Sequence, residues 1–321
     1  SYNRMLERPL EDISRQLSNV QKSLASIKRV GEFFEIESRI SAPSTATESL
    51  APPPSQPLAL AFDHVSFHYE DEPEKADPNS IISNENVLED INFQLASGEV
   101  LGLLGRTGSG KTTLTRLLFR LYDPQTGRVR LSKHEDADQL LDIRQLPLSL
   151  LRSRIGMVTQ SIELFHASVR DNLTFFDPEI PDQKILDVIQ ELGLSRWYAG
   201  LRSGLDTVLE SGGGGLSAGE AQLLAFVRIF LRDPGVVVLD EASSRLDPAT
   251  EHLIEQAVDR LTEGRTALVI AHRLKTVQRA DKIMILEKGR ILEFGDRHTL
   301  ALDPHSHFNY LLQTGMEEVL A

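Results

Sequence analysis

The chain has 321 residues, 40% of them apolar and 25% charged, with no cysteine and a formal net charge of −13. That length supports one sizeable core or two modest domains. The acidic balance excludes a nucleic-acid coat, which needs a basic face, but permits a local basic pocket; without cysteine there are neither disulfides nor thiolate metal sites. No uninterrupted run reaches the roughly 18 apolar residues of a membrane-spanning helix.

From the amino end, Leu6, Leu10, Ile13, Leu17, Val20, Leu24 and Ile27 alternate at spacings of four and three, which puts one apolar seam on a helix within residues 1–40. Something must cover that seam: a coiled-coil partner, or the main domain. Pro9 kinks the run or marks a helix start. Residues 41–57, SAPSTATESLAPPPSQP, have almost nothing to bury and read as a linker. From residue 58 the pattern changes to short β-like runs, LALAFDHVSFHY, EVLGLLG and VVVLDE, interleaved with helical stretches. Strands alternating with helices predict an α/β domain with a largely parallel sheet over 58–321. The polar stretches near 71–86 and 132–139 read as surface loops.

Two stretches point to phosphate chemistry. The first is GRTGSGKTT, which is Gly105, Arg106, Thr107, Gly108, Ser109, Gly110, Lys111, Thr112 and Thr113, between an apolar strand and a run of helical periodicity. It fits the P-loop pattern in the context that pattern demands. Glycines let successive backbone N–H groups turn inward around phosphates, the following helix points its positive end at them, Lys111 adds a point charge, and the Thr112 hydroxyl is a ligand for Mg²⁺. The second is VVVLDE, four apolar residues of a buried strand and then two acids, in which Asp240 holds the metal through water and Glu241 orients and polarises an attacking water.

Residues 211–222, SGGGGLSAGEAQ, pose a choice. The four glycines alone suit a flexible loop. Ser217 followed three residues later by Glu220 is a capping box, so a helix starts here and runs through AQLLAFVRIFLR, with its free N–H groups and dipole favouring an anion.

Taken together, these residues resemble the nucleotide-binding domains of ABC transporters. The family's signature, LSGGQ, stands here as LSAGE, Leu216 to Glu220. FDHVSFHY puts Tyr69 where the family stacks an aromatic ring on adenine, and GMVTQ puts Gln160 in the loop between the metal and the membrane domain. SSRLD puts Asp247 in the loop that crosses the dimer, and VIAHR puts His272 at the switch that senses the γ-phosphate. The resemblance implies a P-loop core with a mostly parallel sheet, an antiparallel β subdomain and an α-helical signature subdomain, bound to ATP and Mg²⁺. It implies Thr112, Gln160 and Asp240 around the metal, Glu241 and His272 as the catalytic pair, and Ser217 and Gly219 facing the ATP of a second such domain, in a homodimer or a heterodimer packed head to tail. Two positions depart from the family: Ala218 adds a Cβ where backbone approaches nucleotide, and Glu220 brings a carboxylate near a polyphosphate.

SIELFHASVRDNLTFF, DKIMILEKGRILEFGD and the amino-terminal IKRVGEFFE resemble exporter-type chains. The expectation is the ATPase part of a longer transporter, on the cytoplasmic face of a membrane, with the helices of a membrane domain as owner of the seam. A soluble ABC-type ATPase acting as a mechanical switch, or the ATPase subunit of an importer, are the alternatives.

Overall fold

A computed structural model describes residues 56–69, 86–132, 140–159, 162–210, 216–240, 248–271 and 277–314, with scattered positions between 16 and 40. The chain divides into two compact units, Ser1–Ser41 and Ala42–Ala321. In the first, the described residues from 19 to 34 are helical. Val20, Leu24 and Ile27 of the predicted seam are exposed there, and Val30 and Phe34 extend it at the same spacing.

The second unit holds two sheets. Strands β1 (Leu60–Phe67), β2 (Leu88–Leu95), β4 (Thr126–Ser132) and β5 (Leu140–Asp142) form an antiparallel sheet in the order β2-β1-β4-β5. The other sheet has the order β10-β9-β3-β8-β7-β6, from β3 (Val100–Leu104), β6 (Ile155–Val158), β7 (Val236–Asp240), β8 (Thr266–Ile270), β9 (Lys282–Glu287) and β10 (Arg290–Asp296). It is parallel from β9 to β6, with β10 alone antiparallel at the edge. The predicted parallel core and antiparallel subdomain are both present.

Uninterrupted apolar runs form the central strands because both faces of the parallel sheet are covered. Side chains alternate across a strand, so Leu101 and Leu103 of β3, Val236 and Val238 of β7, Leu268 and Ile270 of β8, and Met284 and Leu286 of β9 enter one core. That core also takes Leu60, Phe62 and Ile91 from the antiparallel sheet and Leu114, Leu117 and Leu118 from helix α1 (Lys111–Leu118). The intervening residues, Leu104, Val237, Leu239, Val269 and Ile285 among them, enter a second core shared with helices.

Most of those helices lie between β6 and β7 in the chain: α3 (Val169–Thr174), α4 (Asp182–Glu191), α5 (Ser195–Ala199) and α6 (Ala218–Arg232), after the short α2 (Leu148–Arg154) that precedes β6. Helices α7 (Pro248–Thr262), α8 (Arg297–Leu302) and α9 (His307–Thr314) complete the unit. The first turn of α6 carries the capping box read from the sequence: Ser217 Oγ accepts from the Glu220 N–H at 3.2 Å, and Glu220 Oε2 accepts from the Ser217 N–H at 2.8 Å. Its other end closes on Asp233, left-handed at φ 48°, and the next residue, Pro234, cannot continue a helix.

Leu103 is fully buried between the two sheets, so Leu103→Ala is expected to cost about 2–5 kcal/mol of stability through lost burial and an unfilled cavity. Urea unfolding checks this as a lower midpoint at an unchanged m-value.

Candidate functional site

The loop joining β3 to α1 is shaped by glycines that no other residue replaces. Gly110 sits at φ 107°, where a Cβ would lie 2.6 Å from Leu88 Cδ2 and 3.2 Å from the Val87 carbonyl. At Gly105 (φ 149°) a Cβ would overlap the Leu286 carbonyl and lie 2.6 Å from Ser109 Oγ. The first backbone bond within α1 is Leu114 N–H to the Gly110 carbonyl at 2.9 Å, so the N–H groups of Lys111, Thr112 and Thr113 have no acceptor inside the helix. Helix dipole and open donors together make an anion site.

Lys111 is buried and folds back over this loop, donating to the Gly105 carbonyl at 2.5 Å and to the Arg106 carbonyl at 3.0 Å. Burial pushes its ammonium below the ordinary lysine range, and the nearby Asp240 carboxylate acts in the opposite direction. Ser109, only 5% exposed, has a hydroxyl with no protein partner. A buried polar atom without a partner is costly, and a phosphate oxygen at the loop would supply one.

Tyr69 lies just past β1 and reaches α1: its hydroxyl is 3.0 Å from Thr113 Oγ1 and accepts from Arg116 Nη1 at 3.1 Å. Edge contacts with Phe67 and Tyr122, at centroid distances of 4.9 and 5.1 Å, fix the ring. Packing on neighbours and proximity to the loop therefore hold at once. Asp240 is the last residue of β7, beside Ile270 of β8. Strands β3, β8, β7 and β6 are adjacent and parallel, so their carboxyl ends stand in a row, the usual place for a ligand of such a sheet. The P-loop follows β3, and by chain position Gln160 comes two residues after β6, Glu241 directly after β7 and His272 two residues after β8. Gln160, Glu241, Asp247 and His272 themselves lie outside the described residues.

Ser217 and Ala218 are exposed at the mouth of α6, and Gly219 is buried. Described residues lining the cavity of about 390 Å³ against Gly105–Ser109 come from the end of β9, the turn after it, Leu292 and α9, not from the Ser217–Glu220 turn. The capped mouth of α6 and the loop thus present separate anion-seeking surfaces.

Three features escaped sequence reading. Arg116 steadies Tyr69 from 47 positions away. Tyr310 and Leu311 of α9 line the outer side of the P-loop. A groove of about 400 Å³ runs beside the segment that follows β6, lined by Thr159, Ile162, Phe165, Phe175, Arg228 and Arg232 among others. Phe175, exposed in the turn after α3, lines this groove, and the adjacent pair of phenylalanines at 175 and 176 is the apolar signal in the sequence beside it.

Residues 88–244 match the ABC transporter family. The chain is 36% identical over 258 residues to the toxin RTX-I translocation ATP-binding protein of Actinobacillus pleuropneumoniae, covering 80% of this chain and 34% of that protein. It is also 36% identical over 254 residues to the leukotoxin translocation ATP-binding protein LktB of Mannheimia haemolytica, covering 79% of this chain and 33% of the relative. The chain therefore spans about a third of the length of these relatives. Among solved structures, a bacterial Atm1-family ABC exporter with ATP bound aligns with a TM-score of 0.73 at 26% identity, over 96% of this chain and 50% of the exporter's.

Because burial depresses Lys111 and a bound polyphosphate favours the charged amine, the lysine's pKa rises on binding. Between the lower free value and the higher bound value, binding takes up a proton, and affinity falls as pH rises through that window. Calorimetry at alkaline pH in two buffers of different ionisation enthalpy is expected to show the uptake, and Lys111→Met to abolish it.

Proposed function

Since the chain contains an ATP-binding domain of the ABC transporter family, we propose that it binds ATP with Mg²⁺ and hydrolyses it to drive export of a cargo across a membrane. The observation that carries this reading is the loop at Gly105–Thr113, where a buried lysine and an unpartnered buried hydroxyl meet three open N–H groups next to the Asp240 carboxylate. The names of the relatives, two toxin translocation ATP-binding proteins and an exporter, favour export over import or a soluble switch.

In this proposal Tyr69 carries the adenine and Gly105–Thr113 the phosphates. Among the described residues no group of three or more His, Cys, Asp or Glu side chains could cage a metal. The Thr112 hydroxyl and Asp240 carboxylate are the oxygen donors that suit Mg²⁺ when phosphate oxygens complete its shell, with Gln160 as a third contributor. Bound there, Mg²⁺ supplies charge that offsets the polyphosphate. Glu241 accepts a hydrogen bond from the attacking water and orients it, Lys111 leaves the loop carbonyls for the phosphate oxygens, and His272 donates to the γ-phosphate as charge develops. Positioning and electrostatics do nearly all of the work.

The Ser217–Gly219 turn faces the ATP of a second ATPase domain, whose own turn faces this P-loop, and Asp247 crosses between them. ATP then favours the closed pair by binding it better than the open one. The groove beside Phe165 and Phe175 receives the membrane domain, with the ATPase on the cytoplasmic face. No helix among the described residues is long and apolar enough to cross a membrane.

Glu241→Gln is expected to lower ATP turnover at least about a hundredfold, as for loss of a group that positions the nucleophile, while nucleotide affinity stays within a few-fold. Turnover near that of the parent chain would remove Glu241 from the role. Glu220 Oε2 is turned back onto the Ser217 N–H, which keeps its charge at the mouth of α6, where a polyphosphate meets it. Glu220→Gln retains the hydrogen bond without the charge and is expected to tighten ATP-dependent pairing by about three- to tenfold; analytical ultracentrifugation of the Glu241→Gln background reads the change.

A further inference from the structure

Within the ATPase reading above, on which it rests, we infer that Arg116 is a positioning residue: its hydrogen bond to Tyr69 is handed on through Thr113 to the phosphates, so the aromatic platform tightens phosphate binding as well as carrying the base. The three side chains meet at one oxygen. Tyr69 lays its hydroxyl against α1, where it is 3.0 Å from Thr113 Oγ1 and accepts from Arg116 Nη1 at 3.1 Å. Thr113 belongs to the first turn of α1 and is 5% exposed, whereas Arg116 is in the last turn and exposed. The tyrosine therefore joins a residue buried at the anion-seeking end of the helix to a cation at its surface.

The arginine acts on the hydroxyl more than on the ring. Its guanidinium carbon stands 6.0 Å from the ring centroid, at the outer limit of a cation–π contact. A guanidinium has donors and no acceptor, so its bond to the tyrosine runs one way, from Nη1 to the phenol oxygen. The Tyr69 and Thr113 hydroxyls have one proton each, and either can be the donor between them.

An anion at the loop removes that choice. The Thr113 N–H has no acceptor within α1, because the helix ladder begins at Leu114, so the Thr113 hydroxyl stands beside donors open to a phosphate. Thr115 on the same helix gives its hydroxyl to the Thr112 carbonyl at 2.9 Å; Thr113 has the Tyr69 hydroxyl at its side instead. A charge-assisted bond to a phosphate oxygen is roughly twice as strong as a neutral one, so the Thr113 proton turns to the phosphate and the Tyr69 proton turns to Thr113. The row then reads cation, phenol, hydroxyl, anion, with every donor pointing the same way, and bonds in such a row polarise one another. Tyr69 thus has a second task that a ring without the hydroxyl does not perform.

Displacement of a fluorescent ATP analogue from the whole chain, by Mg-ATP and by Mg-tripolyphosphate, which has no base, tests the row in a double-mutant cycle of Tyr69→Phe and Arg116→Met. Tyr69→Phe keeps the ring and is expected to weaken tripolyphosphate by about three- to tenfold, the net effect of losing one or two hydrogen bonds. Arg116→Met is expected to weaken it by about threefold in the parent chain and by less than about 1.5-fold when Tyr69→Phe is already present. A hydroxyl that merely fixed the ring would weaken ATP and leave tripolyphosphate unchanged, which overturns the inference. Additive losses, the mark of an arginine acting only as surface charge, overturn it too, as does a parent chain from which tripolyphosphate displaces nothing. The ATPase reading stands in each case as long as Mg-ATP competes, whereas a parent chain that binds no ATP overturns both. Should Arg116→Met fail to fold, Thr113→Val takes its place: with that hydroxyl gone, Tyr69→Phe is expected to weaken tripolyphosphate by less than about 1.5-fold, and a larger loss overturns the inference.

Discussion

Lys111 carries its ammonium into a loop where burial disfavours charge, and the loop answers with two of its own carbonyls, those of Gly105 and Arg106. Much else at this end of the sheet follows from that arrangement. The amine is satisfied only as long as the loop curls around it, and the curl requires Gly105 and Gly110 in conformations closed to other residues. The same curl leaves the first N–H groups of α1 without acceptors and the Ser109 hydroxyl without a partner. The free loop is thus self-complementary for its cation and incomplete for its donors. An incoming phosphate completes the donors and offers Lys111 better acceptors than neutral carbonyls.

The parallel sheet supplies what the loop lacks. β3, β8, β7 and β6 lie side by side, with apolar side chains sent alternately to one core or the other. Such a sheet has nowhere to put a charged group except at its ends. Asp240 stands at one of these ends and reaches Lys111 electrostatically. The proposed roles of Gln160, Glu241 and His272 follow the same logic, since each comes within two residues of the end of a neighbouring strand in the chain.

Whatever is local was legible in the sequence. The P-loop declares itself by glycine spacing between an apolar strand and a helix. The capping box at Ser217 and Glu220 depends on residues three apart, so its two hydrogen bonds follow from the letters alone. Unbroken apolar runs such as VVVL require a sheet covered on both faces, and the sheet has two cores. Contacts between distant segments stayed hidden. The Tyr69 hydroxyl meets Thr113 across 44 positions, brought there by the core that β1 and α1 share. Arg228 is the extreme case, because its acceptors include two backbone carbonyls. Every residue type has a carbonyl, so no residue pattern announces that partnership.

Helix α6 joins these two kinds of structure. Most of its residues are buried, on all sides of the helix, so close packing along its length fixes its course through the core. Its amino end is fixed in shape by side chains, Ser217 and Glu220, and its carboxyl end by backbone, the left-handed Asp233. Between that end and β7 lie only Asp233, Pro234 and Gly235. Proline removes rotation about φ, and at Gly235 a Cβ would overlap the Gln56 carbonyl, so the connection turns tightly with little slack. The carboxyl end of α6 is therefore tied closely to the start of the strand that ends on Asp240, so the capped turn and the carboxylate beside Lys111 belong to one continuous, tightly joined unit of helix and strand.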